Sequence, residues 1–110
     1  MKMQRLVRFV ASFAAGGVLI AATSLPLFAA DPASLYKGRC VACHAADGTG
    51  SAVGKKIGVH DFRSPDVQKE TDADLTTVIA KGRNKMPAYE KSLQPDEIKA
   101  LVAFVRTLQK

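Results

Sequence analysis

The segment Cys40-Val41-Ala42-Cys43-His44 restricts the fold of this chain more than any other. On a helical turn, side chains three residues apart share a face, so the two thiols point the same way and the histidine follows directly. Two thiols and an imidazole in that order form the attachment pattern of a c-type haem. Each thiol can add to one of the two haem vinyl groups, and His44 then lies under the ring, where its Nε2 can bond the iron. The Nδ1–H of such a histidine needs an acceptor, which fixes the tautomer.

Chain length points the same way. Lys2, Arg5 and Arg8 precede a stretch of 22 uncharged residues, Phe9 to Ala30, interrupted by Pro26 and ending in small residues before Asp31. This predicts a secretory signal peptide over residues 1–30, cut near Ala29 or Ala30, and an exported domain over residues 31–110. The stretch also exceeds the ~20 residues of a membrane helix. An uncleaved anchor is therefore the alternative, disfavoured by Pro26 and by the Ala, Gly and Ser content. In both cases the domain lies outside the cytoplasm, and the expected location is the periplasm. The 80 residues that follow Ala30 bury a proportionally small core, and domains of this size usually need a staple. A disulfide between the only two cysteines, three residues apart, would close a trivial loop. A large buried cofactor with two covalent links would supply what the core lacks.

Other uses of the motif fit less well. A thioredoxin-type dithiol follows a strand in a βαβ unit, and no window here alternates like a strand. A zinc site could draw on Cys40, Cys43, His44 and His60, but the two histidines are 16 apart, outside the common finger spacings. A plain disulfide is possible in an oxidising compartment and explains nothing about His44.

Element signals describe an all-α domain. Asp31 and Pro32 are a cap and a first helical position, opening a helix through Leu35 and Tyr36 to the cysteines. Residues 45–58 hold Gly48, Gly50, Gly54 and Gly58 and read as loop. Ser64-Pro65 starts a short second helix. Thr71 and Asp74 have capping-box spacing ahead of a helix with Leu75, Val78 and Ile79 on one face, ended by Gly82. Residues 83–93 form a second loop. The last helix opens on Pro95-Asp96-Glu97, acids where the helix dipole favours them, and Ile98, Leu101, Val102, Val105 and Leu108 follow at helical spacing.

Two residues compete for the sixth iron position. Met86 is the only methionine after Met3, sits 42 residues past His44, and is followed by Pro87. A lone methionine usually fills core space, yet Arg83-Asn84-Lys85-Met86-Pro87 is too polar a setting for that. His60 is the rival. Thioether ligation raises the reduction potential relative to two histidines.

Charge excludes little. Removing Lys2, Arg5 and Arg8 lowers the whole-chain net charge of +6 to +3. That mild excess, without arginine–aromatic clusters, gives no case for nucleic acid. Lys55, Lys56, Lys81, Arg83, Lys85 and Lys91 lie in the segments expected to border the haem. If they converge, they steer an acidic partner.

Taken together, Leu35-Tyr36, the Cys40–His44 motif, Gly48-x-Gly50 and Met86-Pro87-Ala88-Tyr89 before a terminal amphipathic helix resemble the small bacterial monohaem class I cytochromes c, over residues 32–110. The resemblance implies three to four helices wrapped around one covalently attached haem c. It implies that the first and last helices cross near Tyr36 and Phe104, that His44 and Met86 are the axial ligands, and that the protein is a one-electron carrier between redox proteins. It implies no catalytic residue, and membrane contact only if the leader is retained. Two departures stand out. Pro32-Ala33 replaces the glycine that many relatives carry at the helix crossing. No proline between Ala45 and His60 offers its carbonyl to the histidine, so a carbonyl near Ile57-Gly58 is the expected acceptor. Three alternatives remain at this level: a five-coordinate haem enzyme, a haem subunit or sensor within a larger complex, and a low-potential cytochrome with His44 and His60 both on the iron.

Overall fold

The computed structural model describes residues 14–23 and 30–110. Residues 14–23 form neither helix nor strand and are exposed. Residues 1–13 and 24–29 of the expected leader, Ala29 included, lie outside the described residues. No described helix is long and apolar enough to cross a membrane.

Six helical segments follow. α1 (Pro32–Arg39) starts as expected, with the Asp31 carboxylate accepting from Ser34 N–H at 3.1 Å. Helical bonding nearly runs on into α2 (Val41–His44), since Cys40 N–H reaches Tyr36 O and His44 N–H reaches Cys40 O, both at 2.9 Å. The expected loop over residues 45–58 is only partly a loop, because α3 (Ala52–Lys56) lies within it. Its start is a capped serine, with Ser51 Oγ accepting from Gly54 N–H at 2.9 Å. α4 (Pro65–Gln68) is the short helix expected after Ser64. α5 (Asp72–Lys81) opens with the Thr71–Asp74 capping box and stops at Gly82, whose φ is 75°. α6 (Pro95–Thr107) is entered through Gln94, whose N–H is held by the Glu97 carboxylate at 3.0 Å. Among the described residues extended pairing is limited to one isolated bridge, Arg83 with Met86. The domain is all-α, with three long helices and three single turns.

α1 packs on α6, and α6 on α5. The first contact is aromatic: the Tyr36 and Phe104 rings stand 5.1 Å apart, at the crossing that the resemblance implied. No glycine is needed there, and Gly38 has open space beside it. The second contact is tied at its polar end by Arg106, which donates to Asp72 Oδ1 at 2.9 Å and to Glu70 O at 2.6 Å.

Nine buried apolar side chains make up the core, from Tyr36 and Leu101 at 2% exposure to Phe62 at 9%. Eight of them, all but Ile98, also line one open cleft. Core and cleft thus share most of their side chains, which pack against partner helices on one side and border an open space on the other.

Tyr36 is the anchor nearest the motif. Its hydroxyl donates to Ala45 O at 2.6 Å. Burial, helped by negative charge at Cys40 and Asp47, pushes its ionisation from an ordinary 10.0 up to about 12. A folded-state value above the unfolded one means that this stability is fully present below pH 10 and is lost as pH rises through about 12. Tyr36→Phe is expected to cost about 0.5–1.5 kcal/mol at neutral pH by removing the shorter of two hydrogen bonds to the Ala45 carbonyl, which keeps only the one from Gly48 N–H at 3.3 Å. It should also flatten the fall in stability between pH 10 and 12. Guanidinium unfolding at pH 7, 10 and 12 checks both; an unchanged alkaline slope contradicts the assignment.

Candidate functional site

The cleft opens between α1–α2, α5, α6 and the segment after Gly82, and holds about 1270 Å³ counting its open mouth. Cys40, Cys43 and His44 line it from α2 and its approach, Met86 from the loop beyond α5, and His60 from the stretch after α3. Every residue singled out by the sequence therefore meets here, both candidates for the sixth position included. Burial separates those two: Met86 is half-buried and His60 exposed.

His44 is half-buried, and burial lowers its basicity below the ordinary imidazole value. The ring is thus kept neutral, the form with a free lone pair for a metal. Phe62 packs against it with ring centroids 4.8 Å apart. Its Nδ1 is buried and has no hydrogen-bond partner. The acceptor expected near Ile57-Gly58 does not reach the ring. Residues 54–58 are coiled on themselves, with Ile57 N–H bonded to Gly54 O at 3.0 Å and Gly58 N–H to Lys55 O at 3.3 Å.

The two thiols are unbonded and half-buried. Burial pushes Cys40 up, with Cys43 adding and the Arg39 guanidinium opposing. A disulfide oxidoreductase needs the reverse, an attacking thiol pulled down. The turn bearing them is held from behind. Ser51 donates from its N–H to Cys43 O at 2.9 Å and from its hydroxyl to Ala42 O at 2.7 Å, and Gly50 N–H reaches His44 O at 2.9 Å. α3 comes so close that a methyl group on Gly54 would overlap the Cys43 carbonyl.

Met86 is carried past the cleft by a tight turn. Gly82 leaves α5 with positive φ, and a methyl group there would stand 2.5 Å from Met86 O. Beyond the turn, Tyr89 N–H is bonded to Ile79 O at 3.0 Å, Glu90 N–H to Ala80 O at 3.1 Å, and the Tyr89 hydroxyl to Arg39 O at 3.2 Å. The last bond joins the methionine loop to the residue before Cys40.

These donors suit a haem c. Two thiols, a neutral imidazole and a thioether surround an apolar space walled by Leu75, Leu93, Leu101, Val102 and Val105. A zinc site draws no support: among the described residues no cluster of three or more His, Cys, Asp or Glu could hold a metal ion. Of the six cations expected around the cleft, Lys81 pairs with Glu90 and Arg83 with Glu70, both at 2.9 Å. Lys55, Lys56, Lys85 and Lys91 are exposed and form no ion pair among the described residues. Three contributors went unread in the sequence. Phe62 and Glu70 lie in stretches without periodicity, and Gly54 looked like a loop residue.

Comparison with known proteins agrees with this geometry. The family described as "Cytochrome C oxidase, cbb3-type, subunit III" matches residues 28–105. Cytochrome c6 of Anabaena variabilis is 28% identical over 78 residues, which span 66% of this chain and 83% of that protein. Among solved structures, the c-type cytochrome KustC0563 aligns with a TM-score of 0.69 at 33% identity, covering 73% of this chain and 99% of its own. A single-residue variant of Kustc0563 aligns at 0.66 and 31% identity, covering 71% and 98%.

Glycine substitutions test the two close approaches. Gly54→Ala is expected to destabilise the protein by about 1–3 kcal/mol through overpacking against the Cys43 carbonyl. Gly82→Ala should cost at least about 1–2 kcal/mol from its left-handed φ alone. Gly38→Ala, in open helix, should be neutral or stabilising by up to about 1 kcal/mol. Denaturant midpoints of the three variants give the ranking, and a neutral Gly54→Ala contradicts the packing described.

Proposed function

We propose that this chain, which belongs to the cytochrome c family described as cbb3-type oxidase subunit III, is an exported one-electron shuttle with His44 and Met86 as axial ligands. It is a small monohaem class I cytochrome c, and its cofactor is one covalently bound haem c. The observation that carries the finer reading is the lining of one apolar cleft by Cys40, Cys43, His44 and Met86 together.

In this reading Cys40 and Cys43 each hold the haem by a thioether bond. His44 donates from a ring that burial keeps neutral, and Met86 donates its sulfur from the opposite loop. The haem supplies one reversible electron. With His44 and Met86 both holding the iron, no position would be left for a substrate, and the haem would serve only to pass an electron. The apolar walls exclude water and limit rearrangement between oxidation states. Lys85 at the cleft forms no ion pair among the described residues, and that positive charge suits redox partners with acidic docking surfaces and would raise their association rate. Export to the periplasm rests on the basic and apolar pattern of residues 1–30.

His60 ligation is the rival, and its exposure speaks for Met86. A second reading, a haem subunit of a larger redox complex, takes its support from the oxidase subunit named in the family description. Purification from native membranes and soluble fractions separates shuttle from subunit.

The ligand assignment has a direct spectroscopic test. Met86→Ala should leave the haem attached, abolish the weak sulfur-to-iron absorption band, and open the iron to cyanide or carbon monoxide. The potential should fall, because a thioether favours ferrous iron. Met86→His should remain six-coordinate at a lower potential. A wild-type spectrum in Met86→Ala together with a changed one in His60→Ala would assign the position to His60.

A further inference from the structure

Few attachments hold the Met86 turn to the rest of the domain. Arg83 N–H bonds Met86 O at 3.3 Å and Met86 N–H bonds Arg83 O at 3.0 Å, with Asn84 in the left-handed region at φ 54°. These bonds close the turn on itself and fix nothing outside it. Gly82 before the turn and Tyr89 after it are bonded to α5. Between those two anchors, among the described residues, a single hydrogen bond leaves residues 83–88. It runs from Arg83 Nη1 to Glu70 Oε1, at 2.9 Å.

Glu70 is a firm post. Its carbonyl accepts from Arg106 of α6 at 2.6 Å, and its side chain is 20% exposed. Its other oxygen, Oε2, is buried without a partner. Among the residues lining the cleft it is the one carboxylate. The neighbouring charges are Asp66 with Lys69 at the end of α4, and Asp72 with Arg106 between α5 and α6, while Asp74, which also feels Arg83, is held by Thr71 N–H at 2.9 Å. Both sets are already paired, so Arg83 alone neutralises the Glu70 carboxylate.

We propose that Arg83 and Glu70 are a positioning pair that latches the Met86 turn over the cleft and sets how often Met86 leaves the iron. The proposal rests on Met86 being the sixth ligand. Exposed ion pairs contribute little to global stability. This one instead acts on a local equilibrium, the opening of residues 83–88 between two anchored ends. A foreign ligand reaches the iron only from the open state, so its apparent dissociation constant falls in proportion as the open fraction rises.

Imidazole titration of the ferric holoprotein, followed by loss of the sulfur-to-iron band, reads that fraction. Glu70→Gln is expected to lower the apparent dissociation constant for imidazole about fivefold, within the range of a single weak contact. Arg83→Ala should lower it further, since it leaves a mostly buried carboxylate unpaired. Combining both should return the value toward that of Glu70→Gln. Arg83→Lys should recover most of the wild-type affinity. Asp66→Asn, which breaks the exposed pair with Lys69 away from the turn, should leave it unchanged. Wild-type affinity in both Glu70→Gln and Arg83→Ala overturns the latch, as does an equal shift in Asp66→Asn, which marks general loosening. Met86→Ala separates the premise from the proposal. If that variant keeps the band and the wild-type affinity, the ligand assignment is at fault. If it loses the band and binds imidazole without competition while Glu70→Gln behaves as wild type, only the latch fails.

Discussion

Everything in this fold depends on the haem as the missing half of the hydrophobic core. The apolar faces of α1, α5 and α6 meet where the helices cross but leave a cleft beside the crossings, and most of the buried side chains are also its walls. Ordering each residue costs roughly 1–2 kcal/mol of backbone entropy, and a domain this small has little surplus burial to offset it. A planar, apolar cofactor fixed inside the cleft turns those walls into a core. One group thus serves stability and electron transfer together.

Attachment of the cofactor and placement of its ligands are linked by backbone, not by side-chain packing alone. α3 stands directly behind the turn that bears the cysteines, with Gly54 against the Cys43 carbonyl and Ser51 holding two more groups of that turn. On the far side, the Tyr89 hydroxyl reaches back to Arg39, one residue before Cys40. The methionine loop and the cysteine turn are thereby held in one frame. The turn around Met86 is loosely tied by comparison, with one hydrogen bond leaving residues 83–88 among the described residues.

Much of this was legible in the sequence, for particular physical reasons. The cysteine–histidine motif admits few chemistries, capping residues at Asp31 and Thr71 marked helix starts, and the periodicity of α6 marked its buried face. The crossing of α1 and α6 at Tyr36 and Phe104 followed from family likeness. What escaped depends on tertiary contact. Gly54 reads as a loop former, whereas its role is to admit a neighbouring carbonyl, so α3 was missed. The surroundings of His44 could not be read either: a carbonyl acceptor was expected, whereas its Nδ1 has no partner and the ring packs against Phe62. Glu70 carries no local signal, because its meaning comes from Arg83, thirteen residues away.

The dependence of the fold on its cofactor is tested most directly by far-UV circular dichroism of the Cys40→Ala, Cys43→Ala double variant, purified without haem and titrated with guanidinium. The account predicts low helicity and no cooperative transition. A native-like helical spectrum that unfolds cooperatively would show that α1, α5 and α6 form a core of their own, and would contradict it.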